Sequence, residues 1–109
     1  MNLIEYIWNI LGELDHFKYK FLFDQIGRSS LSIDSNIAEG FTKFSSKDFK
    51  KFLQISNGSL AELETQLKVC NRLKLIDNNK VDQALKDCYL LKSKIISLVN
   101  YLQRVNYKN

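Results

Sequence analysis

Apolar residues recur along this chain at three- and four-residue steps in four stretches, the period of an amphipathic helix. Leu3, Ile4, Ile7, Trp8, Ile10, Leu11 and Leu14 mark the first, over residues 2–13. Gly12 weakens its end, and Asp15 offers an N-cap oxygen to a second helix over residues 16–39. That helix carries two stripes. Leu22, Ile26, Ser30, Ile33 and Ile37 make one; Phe17, Phe21, Asp24, Arg28, Leu31, Ser35 and Ala38 make the other, polar in its middle. Gly40 stands where a C-terminal stop can take positive φ at little cost.

A third helix is predicted over residues 46–73. Ser45-Ser46-Lys47-Asp48 is a capping-box variant with Asp in place of Glu or Gln. From there Phe49, Leu53, Ser56, Leu60, Leu63, Leu67 and Cys70 step alternately by four and three, the 3.5-residue seam of a left-handed bundle. After a connection through Asn79, a fourth helix over residues 79–106 repeats the pattern with Val81, Ala84, Cys88, Leu91, Ile95, Leu98, Leu102 and Val105. Leu85, Leu90, Ile96 and Val99 widen this stripe and predict burial on more than one side. Short connections between long helices predict one all-α domain over residues 1–109, an antiparallel up-down-up-down four-helix bundle.

Composition agrees with that reading. The 109 residues include no proline and only four glycines, too few breakers for a many-turned β-sandwich or barrel. At 45% apolar and 26% charged, the chain is not of the disordered class. It has no apolar run long enough for a transmembrane helix. The N-terminus lacks the positive region and small-residue cleavage site of a signal peptide. Cys70 and Cys88 have no metal-ligand spacing, and helix register places Cys70 level with Gln83 rather than with Cys88, so two free, buried thiols are expected. A cytoplasmic protein with no membrane association follows as an expectation.

Little catalytic chemistry can be assembled. His16, the single histidine, sits at a helix start and reads as a surface or capping residue. Phosphate-loop and dinucleotide-binding glycine patterns are missing, as are the Glu-x-x-His pairs of a di-iron bundle. No catalytic residue, cofactor, metal or small-molecule substrate is expected.

The net charge of +4 is mild, but it is locally concentrated. Lys43, Lys47, Lys50 and Lys51 surround the turn between the second and third helices, with Phe41 and Phe44 interleaved. The plainer reading is a solvated helix start over core phenylalanines. The functional reading is a surface that engages phosphates while its aromatics stack on bases. Lysines in a first helical turn oppose the macrodipole, and an anionic partner would offset that cost.

One block exceeds generic bundle patterning: Arg28, then Ser32-Ile33-Asp34-Ser35-Asn36-Ile37-Ala38-Glu39-Gly40, then Phe49, Phe52-Leu53, and Gly58-Ser59-Leu60-Ala61-Glu62-Leu63-Glu64-Thr65-Gln66-Leu67. This resembles the bacterial four-helix bundle proteins encoded in intervening sequences of 23S ribosomal RNA genes. Their pattern reads Arg-x-x-x-Ser-Ile-Pro-Ser-Asn-Ile-Ala-Glu-Gly, Phe-x-x-Phe-Leu and Gly-Ser-x-x-Glu-Leu-Glu-x-Gln-Leu, and the spacing agrees without gaps from Arg28 to Leu67. Asp34 replaces the usual proline, and the usual leading segment with a Trp-Gln-x-Ala pattern is missing, so a stunted first helix is expected. The resemblance implies a bundle assembling into a homopentameric ring, related to nucleic-acid-binding accessory proteins of diversity-generating retroelements, and no established enzymatic activity.

Arg28, Asn36, Glu39, Gly40, Gly58, Ser59 and Glu62 then read as a structural, oligomer-specifying motif. Gly58 and Ser59 would allow close helix approach, and Arg28, level with about Asn57, would reach a buried Glu62. The expected function is a non-enzymatic oligomeric scaffold that binds RNA or an RNA-bound protein through a basic surface. A protein-protein adaptor without nucleic-acid binding is the alternative.

Overall fold

The computed structural model describes residues 2–105, which form four α-helices and no strand: α1 (Leu3–Leu11), α2 (Lys20–Phe41), α3 (Ser46–Arg72) and α4 (Asn78–Val105). Asn106, the expected last residue of the fourth helix, lies outside the described residues, as do Met1 and residues 107–109.

The 3.5-residue seams are the core. On α3, Leu53, Ser56, Leu60, Leu63, Leu67 and Cys70 are buried and Phe49 is half-buried. On α4, Val81, Ala84, Cys88, Ile95 and Leu102 are buried, and Leu91, Leu98 and Val105 half-buried. Each fully buried Leu or Ile contributes on the order of 1.5–3 kcal/mol of transfer free energy, which makes α3, packed along both α2 and α4, the central element. The first stripe of α2, Leu22–Ile26–Ser30–Ile33–Ile37, also turns inward.

Hydrogen bonds set the register. The Ser56 hydroxyl donates to the Ile33 carbonyl at 2.9 Å, and the Ser32 and Ser59 hydroxyls lie 2.7 Å apart. Numbers rise along α2 as they fall along α3, so these two helices are antiparallel. Between α3 and α4, the Asn71 amide donates to Asp82 at 3.1 Å, the register that puts Cys70 level with Gln83. Both cysteines are free and buried, and desolvation pushes the Cys88 thiol up to about 12, so it stays protonated at neutral pH.

The short α1 packs against α2 and α4. Its Trp8 ring meets Phe23 edge-on at 6.3 Å, and the Tyr6 hydroxyl donates to the Lys80 carbonyl at 3.2 Å. Glu13 pairs with Lys80, which holds the Glu13 carboxyl below its usual range. Trp8 lies over Gly27, 3.5 Å from where a Cβ there would stand.

Several helix ends differ from expectation. The first helix stops at Leu11 with Gly12 as C-cap, rather than reaching residue 13. The second starts at Lys20, not at residue 16. Asp15 does cap, but its carboxylate accepts from the Phe17 and Lys18 amides at 3.0 and 2.9 Å and holds a separate turn. A side chain bonded to its own neighbouring backbone competes with helix continuation. The second helix also runs through Gly40 to Phe41 without positive φ at any glycine among the described residues. The third begins as expected, with Ser45 accepting from the Asp48 amide at 3.1 Å. It ends one residue early at Arg72, closed by left-handed Lys74 (φ 56°) and by bonds from the Lys74 and Leu75 amides to Asn71 and Cys70. The fourth starts one residue early, at Asn78.

Gly40 is therefore a packing residue. A Cβ there would stand 2.9 Å from the Phe49 ring and 3.2 Å from the Phe52 Cβ. Gly58 is the reverse: it is exposed, a Cβ would meet nothing within 4 Å, and the expected close approach is absent within the chain. Urea unfolding should show Gly40→Ala destabilising by about 1–3 kcal/mol through overpacking. Gly58→Ala should instead leave stability unchanged or raise it by about 0.5–1 kcal/mol, the helix-interior glycine cost.

Candidate nucleic-acid interface

The block from Arg28 to Leu67 occupies the α2–α3 pair, and its polar members divide into surface and seam. Arg28 is level with Glu62 rather than with Asn57, because α2 continues past Gly40 and the turn centres nearer Ser45. Their ion pair spans 3.1 Å, and Arg28 also donates to Gln25 at 3.1 Å. Both side chains are half in solvent, 54% and 51% exposed, so Glu62 is not the buried partner expected. Asn36, by contrast, is half-buried and donates to the Ser32 carbonyl at 2.8 Å and to its hydroxyl at 3.1 Å. Ser59 is buried and completes that small network across the helix pair. Glu39 is exposed and pairs with Lys43 at 3.0 Å.

The expected lysines lie at the α2–α3 turn and along the first turns of α3. Lys43 is the exception in chemistry: half-buried, neutralised by Glu39, and 5.1 Å from the Phe52 ring centroid. Lys47 and Lys51 are exposed and Lys50 half-buried, at the i, i+3, i+4 spacing that shares one helix face. Among the described residues, none of these three is held in an ion pair. Phe41 and Phe44 are not core residues as the plainer reading required: they are 66% and 107% exposed, with Phe41 resting on Phe49 at 4.8 Å between ring centroids.

The tertiary structure adds a third helix to this end. The register bonds put the middle of α4, between Leu91 and Lys92, level with the Ala61–Glu62 step of α3 and the Ser29–Ser30 step of α2. The half carrying the α2–α3 turn holds seven basic residues (Lys43, Lys47, Lys50, Lys51, Lys92, Lys94 and Arg104) against Asp34, Glu39 and Asp48. The other half, which contains α1, has eight basic and nine acidic residues, three ion pairs among them. The excess positive charge of the described chain is thus confined to one end. Sequence reading missed Lys92, Lys94 and Arg104 because they lie some forty residues beyond the turn; the only available signal was the antiparallel register itself.

Other candidate chemistry is structurally committed. His16 Nε2 sits 3.3 Å from the Leu11 carbonyl, its ring 4.0 Å from that of Phe23. Among the described residues, no group of three His, Cys, Asp or Glu side chains is placed to hold a metal, and no helix is long and apolar enough to cross a membrane. Since the Arg28–Glu62 pair is solvated, Glu62→Ala should cost under about 1 kcal/mol. Repeating the thermal melt near 1 M salt should erase most of the difference from wild type; a larger, salt-independent loss would place Glu62 in a buried contact.

No curated protein matches the chain. Among solved structures, a protein with unknown function from the S23 ribosomal protein family of Bacteroides thetaiotaomicron has the same fold, with a TM-score of 0.79 at 24% identity over 89% of this chain and 91% of that one. The family model described as 23S rRNA-intervening sequence protein matches residues 1–97, which include all four helices up to the last turns of α4. The chain belongs to the 23S rRNA-intervening sequence protein family.

Proposed function

We propose that this protein is a non-enzymatic oligomeric scaffold of the cytoplasm that binds RNA or an RNA-bound protein through its basic end. The observation that carries this reading is the segregation of charge. Among the described residues, Lys47, Lys50 and Lys51 are held in no ion pair and share one end with exposed Phe41 and Phe44, while the charges of the other end nearly balance. Such an end attracts polyanions by counterion release and offers rings to bases. Lys43, Lys47, Lys50 and Lys51 form the proposed contact, with Lys43 contributing least because Glu39 already neutralises it.

The non-enzymatic part of the reading rests on the commitment of the nucleophiles and bases: both thiols are buried and pushed up in pKa, and His16 is engaged with Leu11 and Phe23. We also propose that the four helices form an up-down-up-down bundle and that copies assemble through exposed apolar surface into a ring, a pentamer by family resemblance. Leu90 and Ile96 of α4, expected to be buried, are exposed in the single chain, as are Phe21 of α2 and Phe17 in the turn before it. Apolar surface of this kind marks interfaces. It equally suits a protein partner, which is what favours the adaptor reading if RNA binding fails.

A ring repeats a weak site, so affinity should grow with RNA length. Size exclusion with light scattering should give an oligomer mass at micromolar protein, and a monomer mass would overturn the assembly. The Lys43/Lys47/Lys50/Lys51→Gln variant should keep the wild-type mass yet lose retention of long RNA at about 50 mM salt. Equal binding by wild type and variant would sink this site.

A further inference from the structure

We infer that the basic end is a platform for single-stranded nucleic acid that continues from the α2–α3 turn onto the C-terminal turns of α4, where Tyr101 stacks on a base and Arg104 meets a phosphate. This rests on the nucleic-acid reading above and extends it to residues and a strand form that reading does not specify.

The geometry follows from two contacts. Phe41 of α2 rests on Phe49 of α3, so these two are at one height. Counting from the Asn71–Asp82 hydrogen bond, Phe49 lies 22 residues back along α3 and Arg104 lies 22 residues forward along α4. With equal rise per residue, Phe41, Phe49 and Arg104 share one level of the bundle, and Lys50 and Tyr101 lie within one turn of it. Three helices therefore bring cations and rings to the same end.

The chemistry at α4 is specific. Tyr101 is 52% exposed, and Arg104 lies over its ring at 5.9 Å from the centroid, with no acidic partner among the described residues. An aromatic face topped by an unpaired guanidinium can take a base on the ring and a phosphate oxygen on the fork. Phe41 and Phe44 supply two further exposed faces at the same end. Exposed rings gain nothing from a duplex, whose bases are already stacked on one another, whereas an unpaired strand offers its base faces freely. Charge without rings would favour the denser phosphate array of a duplex. The combination selects the single strand.

The test is fluorescence anisotropy with a labelled oligouridylate of about twenty nucleotides and an RNA duplex of the same length, at several salt concentrations. Tyr101→Ala should weaken single-strand binding roughly tenfold and Tyr101→Phe should restore it. Arg104→Gln should lower the log–log salt slope by about 0.7. Neither residue is in the core, so melting temperatures should hold. Wild-type binding that both α4 variants retain in full would overturn this extension and leave the lysine site standing. Equal or tighter duplex binding would overturn the strand preference. Absence of any RNA binding, or binding only to vesicles of anionic lipid, would remove both readings.

Discussion

Everything else in this protein depends on the buried seam of α3. Leu53, Leu60, Leu63 and Leu67 exclude water along its length, and α2 and α4 close on it from two sides. Apolar burial alone is non-directional and would tolerate small slips. The Ser56 hydroxyl bonded to the Ile33 carbonyl, and the Ser32–Ser59 pair beside it, remove that freedom, because a slipped helix would strand buried polar groups. Once the register is held, Arg28 stands opposite Glu62, Phe41 rests on Phe49, and Gly40 must be small to admit Phe49 and Phe52.

The second constraint is one of length. At 9 residues α1 is less than half as long as any of the other three helices, so it covers only one half of the bundle. In that half Trp8 packs on Phe23 and over Gly27, and Glu13–Lys80, Arg28–Glu62 and Lys20–Asp24 pair opposite charges. The other half lacks both the cover and the balance. Lys47, Lys50 and Lys51 sit in the first turns of α3, where the helix dipole disfavours cations, alongside phenylalanines in solvent. Both placements are locally unfavourable, and they fall at one end of the molecule.

A third feature concerns what the single chain leaves uncovered. Of the extra apolar positions of α4, Leu85 and Val99 pack half-buried against the core. Leu90 and Ile96 project from it, as Phe17 and Phe21 do near the start of α2. A helix packed on one side buries one stripe, and residues well outside it stay in solvent in the single chain. Arg28 and Glu62 are paired within the chain, while Gly58, one turn away, is open.

The sequence by itself determined the helices, their seams and their family. A 3.5-residue repeat dictates which face is buried, and a Ser45 cap or a scarcity of breakers acts through near neighbours alone. Hence the α3 seam, the Cys70 level and the buried thiols were all legible. Helix ends were less so, since Asp15 chose between capping α2 and holding its own turn by a local competition that periodicity does not report. What only the tertiary structure decided were matters of distance between helices. Gly40 is a packing residue and Gly58 is open because of what faces each across the bundle. Glu62 is solvated because its stripe lies at the rim of the α2–α3 contact. Phe41 and Phe44 face water at the α2–α3 turn, and how Arg104 stands to the lysines there depends on how α4 lies against α3. Spacing along one helix carries no information about a second helix until the register between them is set, and that register is settled by long-range packing and a few buried hydroxyls.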